Sequence, residues 1–213
     1  MRHVAARSLL LLSLLLGAGP AEARHYPQLF NSNEIVSQKF TLNKGPVFNW
    51  TGMLQHWKNG AACETPVCSS KSWAGLVAQV KAAGDPMAQI RAANELINAR
   101  PYIEDMPNWT KGDYWATAFE FLKKNGDCED FSITKYMLLK AAGYPVENMR
   151  VFAVRLRNLN GTGHAILVVY QGDKAWVLDN RTKSVMDANR VALEFQPVLS
   201  MNEQMWWVHV PGH

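Results

Sequence analysis

A chain of 213 residues, 48% hydrophobic and 19% charged, is long enough for one domain with a sizeable core and too apolar for a disordered one. Its formal net charge of +4 comes without any Lys/Arg block, so nothing in it clusters as a nucleic-acid-binding face would.

At the amino end, Arg2, His3 and Arg7 precede the apolar run 9–16, and Ala21-Glu22-Ala23 offers a small-x-small cleavage site. Residues 1–23 therefore read as a secretory signal peptide, with the mature chain starting at Arg24. The apolar run is too short to span a bilayer comfortably, and no later segment has that length. The mature chain is expected to be soluble, exported and without a transmembrane segment. Residues 24–213 then form a single domain, divided into a lead-in over 24–70 and a core over 71–213.

The lead-in is rich in Asn, Gly and Pro and reads as loop, with a short helix near Met53–Lys58. Cys63 and Cys68 enclose a turn-like segment and could close a small disulfide in an oxidising compartment; two unpaired surface thiols are the alternative. Asn-x-Ser/Thr sequons at Asn49, Asn108, Asn160 and Asn180 are taken as chance matches.

Helical spacing of Trp73, Leu76, Val77 and Val80 predicts a helix from Ser72 to about Ala83, closed by Gly84. Asp85 caps a second helix with Pro86 at its first position, and Pro101 ends it. Thr117-Ala118-Phe119-Glu120 is a capping box opening a short helix that Asn125-Gly126 stops. The next helix starts at Asp127 or Cys128 and ends at Gly143 and Pro145. Beyond it the pattern changes to short β-rich runs: Val151–Leu156, His164–Tyr170 and Lys174–Leu178. Leu193–Val198, interrupted by Pro197, and Trp206–Val210 are weaker strand candidates. Helices first and antiparallel strands second predict an α+β fold, with amino-terminal helices packed on an antiparallel sheet.

The chemistry concentrates in Gly126-Asp127-Cys128-Glu129-Asp130. A thiol at a helix amino terminus meets unpaired N–H groups and the positive dipole end, both of which favour thiolate. His164 opens a strand and Asp179 ends the next one. On neighbouring antiparallel strands the carboxylate can reach the imidazole, so Cys128, His164 and Asp179 have the parts of a nucleophile, its base and the base's orienter. Zinc on these three residues is the weaker alternative. The flanking acids oppose activation, because negative charge raises a thiol's pKa. A bound cation would cancel that repulsion, and Asp127, Glu129 and Asp130 are hard oxygen ligands suited to Ca²⁺. They could equally be helix-start acids favoured by the dipole. Trp115 reads as a core aromatic, or as a cleft residue whose indole N–H helps an oxyanion.

Asp113-Tyr114-Trp115-Ala116-Thr117, Glu120-Phe121-Leu122, Gly126 to Phe131, Lys135-Tyr136, Gly163-His164-Ala165 and Leu178-Asp179-Asn180 together resemble the bacterial transglutaminase-like cysteine peptidases, in particular their LapG-like periplasmic members. The resemblance implies a papain/transglutaminase-like core and Cys128, His164 and Asp179 as a triad. It implies a Ca²⁺ requirement carried by Asp127, Glu129 and Asp130. It also implies a periplasmic location, cleavage of large surface adhesins near their amino termini at a di-alanine site with release of biofilm cells, and sequestration by an inner-membrane cyclic-di-GMP receptor. Ala118 departs from the proline of many relatives. The same triad would serve a transglutaminase or an amidase, and the acids alone would serve a calcium-dependent interaction module without turnover.

Overall fold

The computed structural model describes residues 29–38, 45–59 and 71–212. The expected signal peptide and the expected Cys63–Cys68 pairing fall outside the described residues.

Six helices precede most of the sheet: α1 (Pro46–Lys58), α2 (Lys71–Ala82), α3 (Pro86–Asn98), α4 (Asp105–Trp109), α5 (Ala118–Lys124) and α6 (Cys128–Ala142). Local chemistry sets their ends. The Asp85 carboxylate accepts from the Met87 and Ala88 N–H groups, each at 3.0 Å, and Pro86 opens α3 with no N–H to satisfy. Thr117 and Glu120 form the reciprocal capping box of α5. Gly143, at φ 103°, ends α6 in the left-handed conformation that other residues resist.

The central element is α6. Every residue from Glu129 to Leu139 is buried, because α2, α3 and α5 pack around one side of it and the sheet lies on the other. Such a helix is covered all round, so its polar residues need partners inside the protein.

The sheet has seven strands in the order β1-β7-β6-β2-β3-β4-β5, antiparallel throughout. These are β1 (Ser32–Gln38), β2 (Met149–Leu156), β3 (Thr162–Gln171), β4 (Lys174–Leu178), β5 (Met186–Asp187), β6 (Phe195–Met201) and β7 (Trp206–Pro211). The run Ala165–Tyr170 of β3 is buried on both faces. Leu167 and Val169 join the helical core, whereas Ile166, Val168 and Tyr170 pack with Phe30, Phe152 and Phe195 on the far side. Two-sided burial explains why this strand reads as an unbroken apolar run instead of alternating.

The α+β architecture expected from sequence is the one observed, with four local differences. The lead-in contains β1 and a helix that begins at Pro46, not Met53; Trp50 anchors it, fully buried, donating its indole N–H to the Asn202 carbonyl at 2.9 Å. Helix α4 and the two-residue β5 carry no periodic pattern long enough to be read. Leu193 is 78% exposed and lies ahead of β6, which starts only at Phe195. Pro197 sits within that strand because the register with β2 slips between Ala153 and Val154, opposite which it lies.

On the far side of the sheet, buried His209 of β7 bonds Ser200 Oγ at 2.8 Å and faces the Phe152 ring. Burial, and then the Arg150 charge, lower its pKa from 6.5 to about 4. Folded His209 thus stays neutral down to about pH 4, while the unfolded chain takes up that proton below 6.5. Its contribution to stability is therefore complete above pH 6.5 and is lost between 6.5 and 4. Urea denaturation of wild type and His209→Gln should show a difference in stability that changes by up to about 3 kcal/mol over this window. A constant difference would show that His209 does not titrate as its burial requires.

Candidate active site

Cys128 is the first residue of α6, and the turn before it is tightly built. Helix α5 ends at Lys124, Asn125 turns the chain at φ 63°, and Gly126 passes beside the 102–103 segment, its carbonyl accepting from Ile103 N–H at 2.9 Å. A Cβ on residue 126 would lie 2.0 Å from Asp130 Oδ2, so only glycine lets the chain pass this close to the carboxylate.

The Cys128 thiol is held from two sides. Its S–H donates to Glu129 Oε2 at 3.2 Å on one side, and the Ala165 backbone of β3 faces it on the other. Burial raises the thiol pKa far above its ordinary value, the charges of Glu129 and Asp127 raise it further, and the Ala165 bond opposes them.

His164 immediately precedes Ala165, so the strand that touches the sulfur also carries the imidazole. Its Nε2 lies 2.9 Å from Asp179 Oδ1, with both side chains almost fully buried. Strand register explains the pairing. Leu178 is opposite Leu167, so the next residue, Asp179, falls beside Ile166, two positions from His164. This leaves Nδ1 as the ring nitrogen not engaged by Asp179.

Asp179 has further partners. Arg181 N–H donates to Oδ1 at 2.9 Å, and Arg181 Nε and Nη2 donate to Oδ2 at 2.9 and 2.7 Å. Asn98 of α3 pins the local backbone by donating to the carbonyls of Asp179 and Thr182 at 2.8 and 2.7 Å. Burial alone would raise the Asp179 carboxyl, but the bonds from His164 and Arg181 outweigh it and hold the group below the usual carboxylate range. Beneath it on α6, Lys135 is fully buried, and its Nζ has no hydrogen-bond acceptor among the described residues. Burial lowers its pKa to about 7, against the pull of the Asp179 charge.

The acids form a larger group than the sequence suggests. Carboxylate oxygens of Asp105, Asp127 and Asp130 lie within 4.8 Å of one another, as do those of Asp105, Asp113 and Glu129. Asp127 groups with Glu129 and, separately, with Asp130, and Asp105 and Asp113 join these groups from outside the helix start. They arrive from the start of α4 and from the loop after it, where no ligand spacing marks them. Asp105 Oδ1, Asp127 Oδ1 and Asp130 Oδ2 are all buried with no hydrogen-bond partner among the described residues. Burial raises the pKa of each of these three acids, and their neighbouring charges add to it. Trp115 is a core residue, and its indole N–H is spent on Asp113 Oδ1 at 3.0 Å, so it offers nothing to an oxyanion.

A family model described as bacterial transglutaminase-like cysteine proteinase matches residues 58–213. No match is found among curated protein sequences. Among solved structures, calcium-bound LapG of Legionella pneumophila is similar at 26% identity and a TM-score of 0.58, over 73% of this chain and 87% of that one. A further structure of the same protein gives the same values. Its EGTA-treated form matches at the same identity and TM-score, over 84% of its chain.

Replacing Gly126 by alanine should push the Asp130 carboxylate off its 2.7 Å bond with the Ala116 N–H. The expected cost is about 1–3 kcal/mol in chemical denaturation, from a buried donor left unpaired. Wild-type stability in Gly126→Ala would mean that the turn relaxes without moving Asp130.

Proposed function

This chain belongs to the bacterial transglutaminase-like cysteine proteinases, and from that premise we propose that it is a periplasmic, calcium-dependent cysteine endopeptidase. The observation that carries the reading is the 2.9 Å His164–Asp179 bond on the strand whose next residue, Ala165, faces the Cys128 thiol. The likeness to LapG supports it.

In this reading, the Cys128 thiol gives its proton to the free Nδ1 of His164 as Sγ attacks the scissile carbonyl. Asp179, bonded to Nε2, fixes the ring and stabilises the imidazolium. The imidazolium then protonates the leaving amine as the C–N bond breaks, leaving a thioester on Cys128. Water, deprotonated by His164, attacks that thioester and releases the new carboxyl terminus, and the thiol regains its proton.

The acids fit a calcium site. They are hard oxygen donors, and three of their buried oxygens have no hydrogen-bond partner among the described residues. Asp127, Glu129 and Asp130 would hold the ion, with Asp105 and Asp113 completing the protein's share. The positive charge would offset Asp127 and Glu129, two of the groups that keep the thiol protonated. The ion would thus make the thiolate accessible near neutral pH.

The favoured substrate is the amino-terminal region of a large cell-surface adhesin, whose cleavage would release biofilm cells. An inner-membrane cyclic-di-GMP receptor is the regulatory partner that accords with this role. Among the described residues no helix is long and apolar enough to cross a membrane.

Cys128→Ala should abolish cleavage of such an adhesin while leaving circular dichroism unchanged, and product masses should show new termini without isopeptide-linked amines. Full turnover by the alanine variant would sink the assignment. Calcium should also speed alkylation of Cys128 at neutral pH and raise the melting temperature, as any ligand selective for the folded state does. Equal alkylation rates with calcium and with a chelator would remove the charge argument.

A further inference from the structure

The partners of Asp179 are divided unequally. One oxygen serves His164 and the Arg181 N–H; the other is given over to the Arg181 guanidinium through two bonds. Arg181 thus grips one carboxylate from its backbone and its side chain at once. Its own position is set from behind, with Cζ 5.6 Å from the centre of the Phe195 ring and Nη2 3.8 Å from Glu194. The carboxylate is 4% exposed and the arginine side chain 32%, so the pair is not a solvent-screened surface contact.

A carboxylate beside an imidazole does two things: it orients the ring and it stabilises the protonated form. The second effect scales with the negative charge the carboxylate has left after its other partners are satisfied. A fixed guanidinium on Oδ2 draws off part of that charge. We propose that Arg181 is a positioning residue that sets how strongly Asp179 engages His164, fixing the plane of the carboxylate and sharing its charge between two cations.

The inference rests on the reading of Asp179 as the orienter of His164. The charged and titratable groups acting on Asp179 are His164, Arg181 after β4 and Lys135 from α6, and Glu194 ahead of β6 lies beside Arg181. Asn98 of α3 contributes a neutral amide to the backbone only. Arg181 is the cation hydrogen-bonded to the carboxylate, whereas Lys135 acts through its charge alone. The simpler alternative is that Arg181 only closes the turn after β4, through its N–H on Asp179 Oδ1. Glutamine or lysine at 181 keeps that N–H, so these substitutions separate the two roles.

The test is nuclear magnetic resonance titration of the His164 ring in the full mature chain with calcium present, in a Cys128→Ala background that removes the thiol from the titration. Arg181→Gln should raise the imidazole pKa by about one unit, because Asp179 then spends its charge on His164. Arg181→Lys keeps a cation and should hold the pKa closer to the parent value. Glu194→Gln removes the acid competing for Arg181, and should lower the His164 pKa by a few tenths of a unit, roughly the weight of a part-exposed charge. This variant keeps the proposal testable if Arg181→Gln does not fold. An unchanged imidazole pKa in the Arg181→Gln and Glu194→Gln variants, or the same shift in Arg181→Gln and Arg181→Lys, overturns the proposal. The titration needs no turnover, so its failure is distinct from failure of the protease reading, which cleavage by Cys128→Ala decides.

Discussion

Five carboxylates converge on the amino end of one buried helix, and their mutual repulsion is the constraint to which the rest of this structure answers. Like charges gathered in a poorly solvated place raise one another's pKa values, and here they raise that of the thiol among them. Burial of an unpaired carboxylate oxygen is costly, and three such oxygens lie within one cluster. A buried polar group left without a partner calls for a physical explanation, such as strain, a catalytic role or a bound water or ion. The tight passage at Gly126, which admits the Asp130 carboxylate only because no Cβ is present, shows how closely the chain is fitted around these acids.

Helix α6 makes that fit possible. Its walls of α2, α3, α5 and the sheet fix its axis, so the acids at its first turn cannot move apart to relieve their repulsion. The same burial brings β3 against its amino end, where the Ala165 backbone faces the thiol. A single strand therefore supplies both the contact to the thiol and, one residue earlier, the imidazole. Two-sided burial of β3 makes this rigid: Leu167 and Val169 are locked into one core, and Ile166 and Val168 into the other.

Much of this was legible in the chain. The capping box at Thr117, the Asp85-Pro86 start and the Gly143 stop are local chemistry, and all three operate as read. Cys128, His164 and Asp179 stood out because each lies at the edge of a periodic segment, where a polar group breaks the pattern. Asp105, Asp113 and Arg181 did not, for a physical reason. The two aspartates sit in and after a five-residue helix whose place is set by tertiary contacts, and Arg181 lies in a turn between short strands. Their importance arises only when distant segments meet, as when Tyr114 N–H bonds Asp105 or Asn49 bonds Asp113 at 2.8 Å. The start and stop signals of α6 mark a helix but not its burial on every side, because such signals are local and cannot count how many neighbours surround it.

The two halves of the site are balanced differently. Around Asp179 the protein supplies its own cation: Arg181 and the imidazole hold the carboxylate ionised and oriented without help. Around Cys128 the charges acting on the thiol are those of Glu129 and Asp127. Lys135 is on the same helix, but its charge acts on Asp179, while the acids beside the thiol face one another. The His164–Asp179 pair is thus set by folding alone, whereas the thiol lies among acids that raise its pKa. In the protease reading this asymmetry confines control to the thiol. An ion entering or leaving the acid cluster would change the population of thiolate without disturbing the His164–Asp179 bond, so the enzyme could be switched with its base already in place.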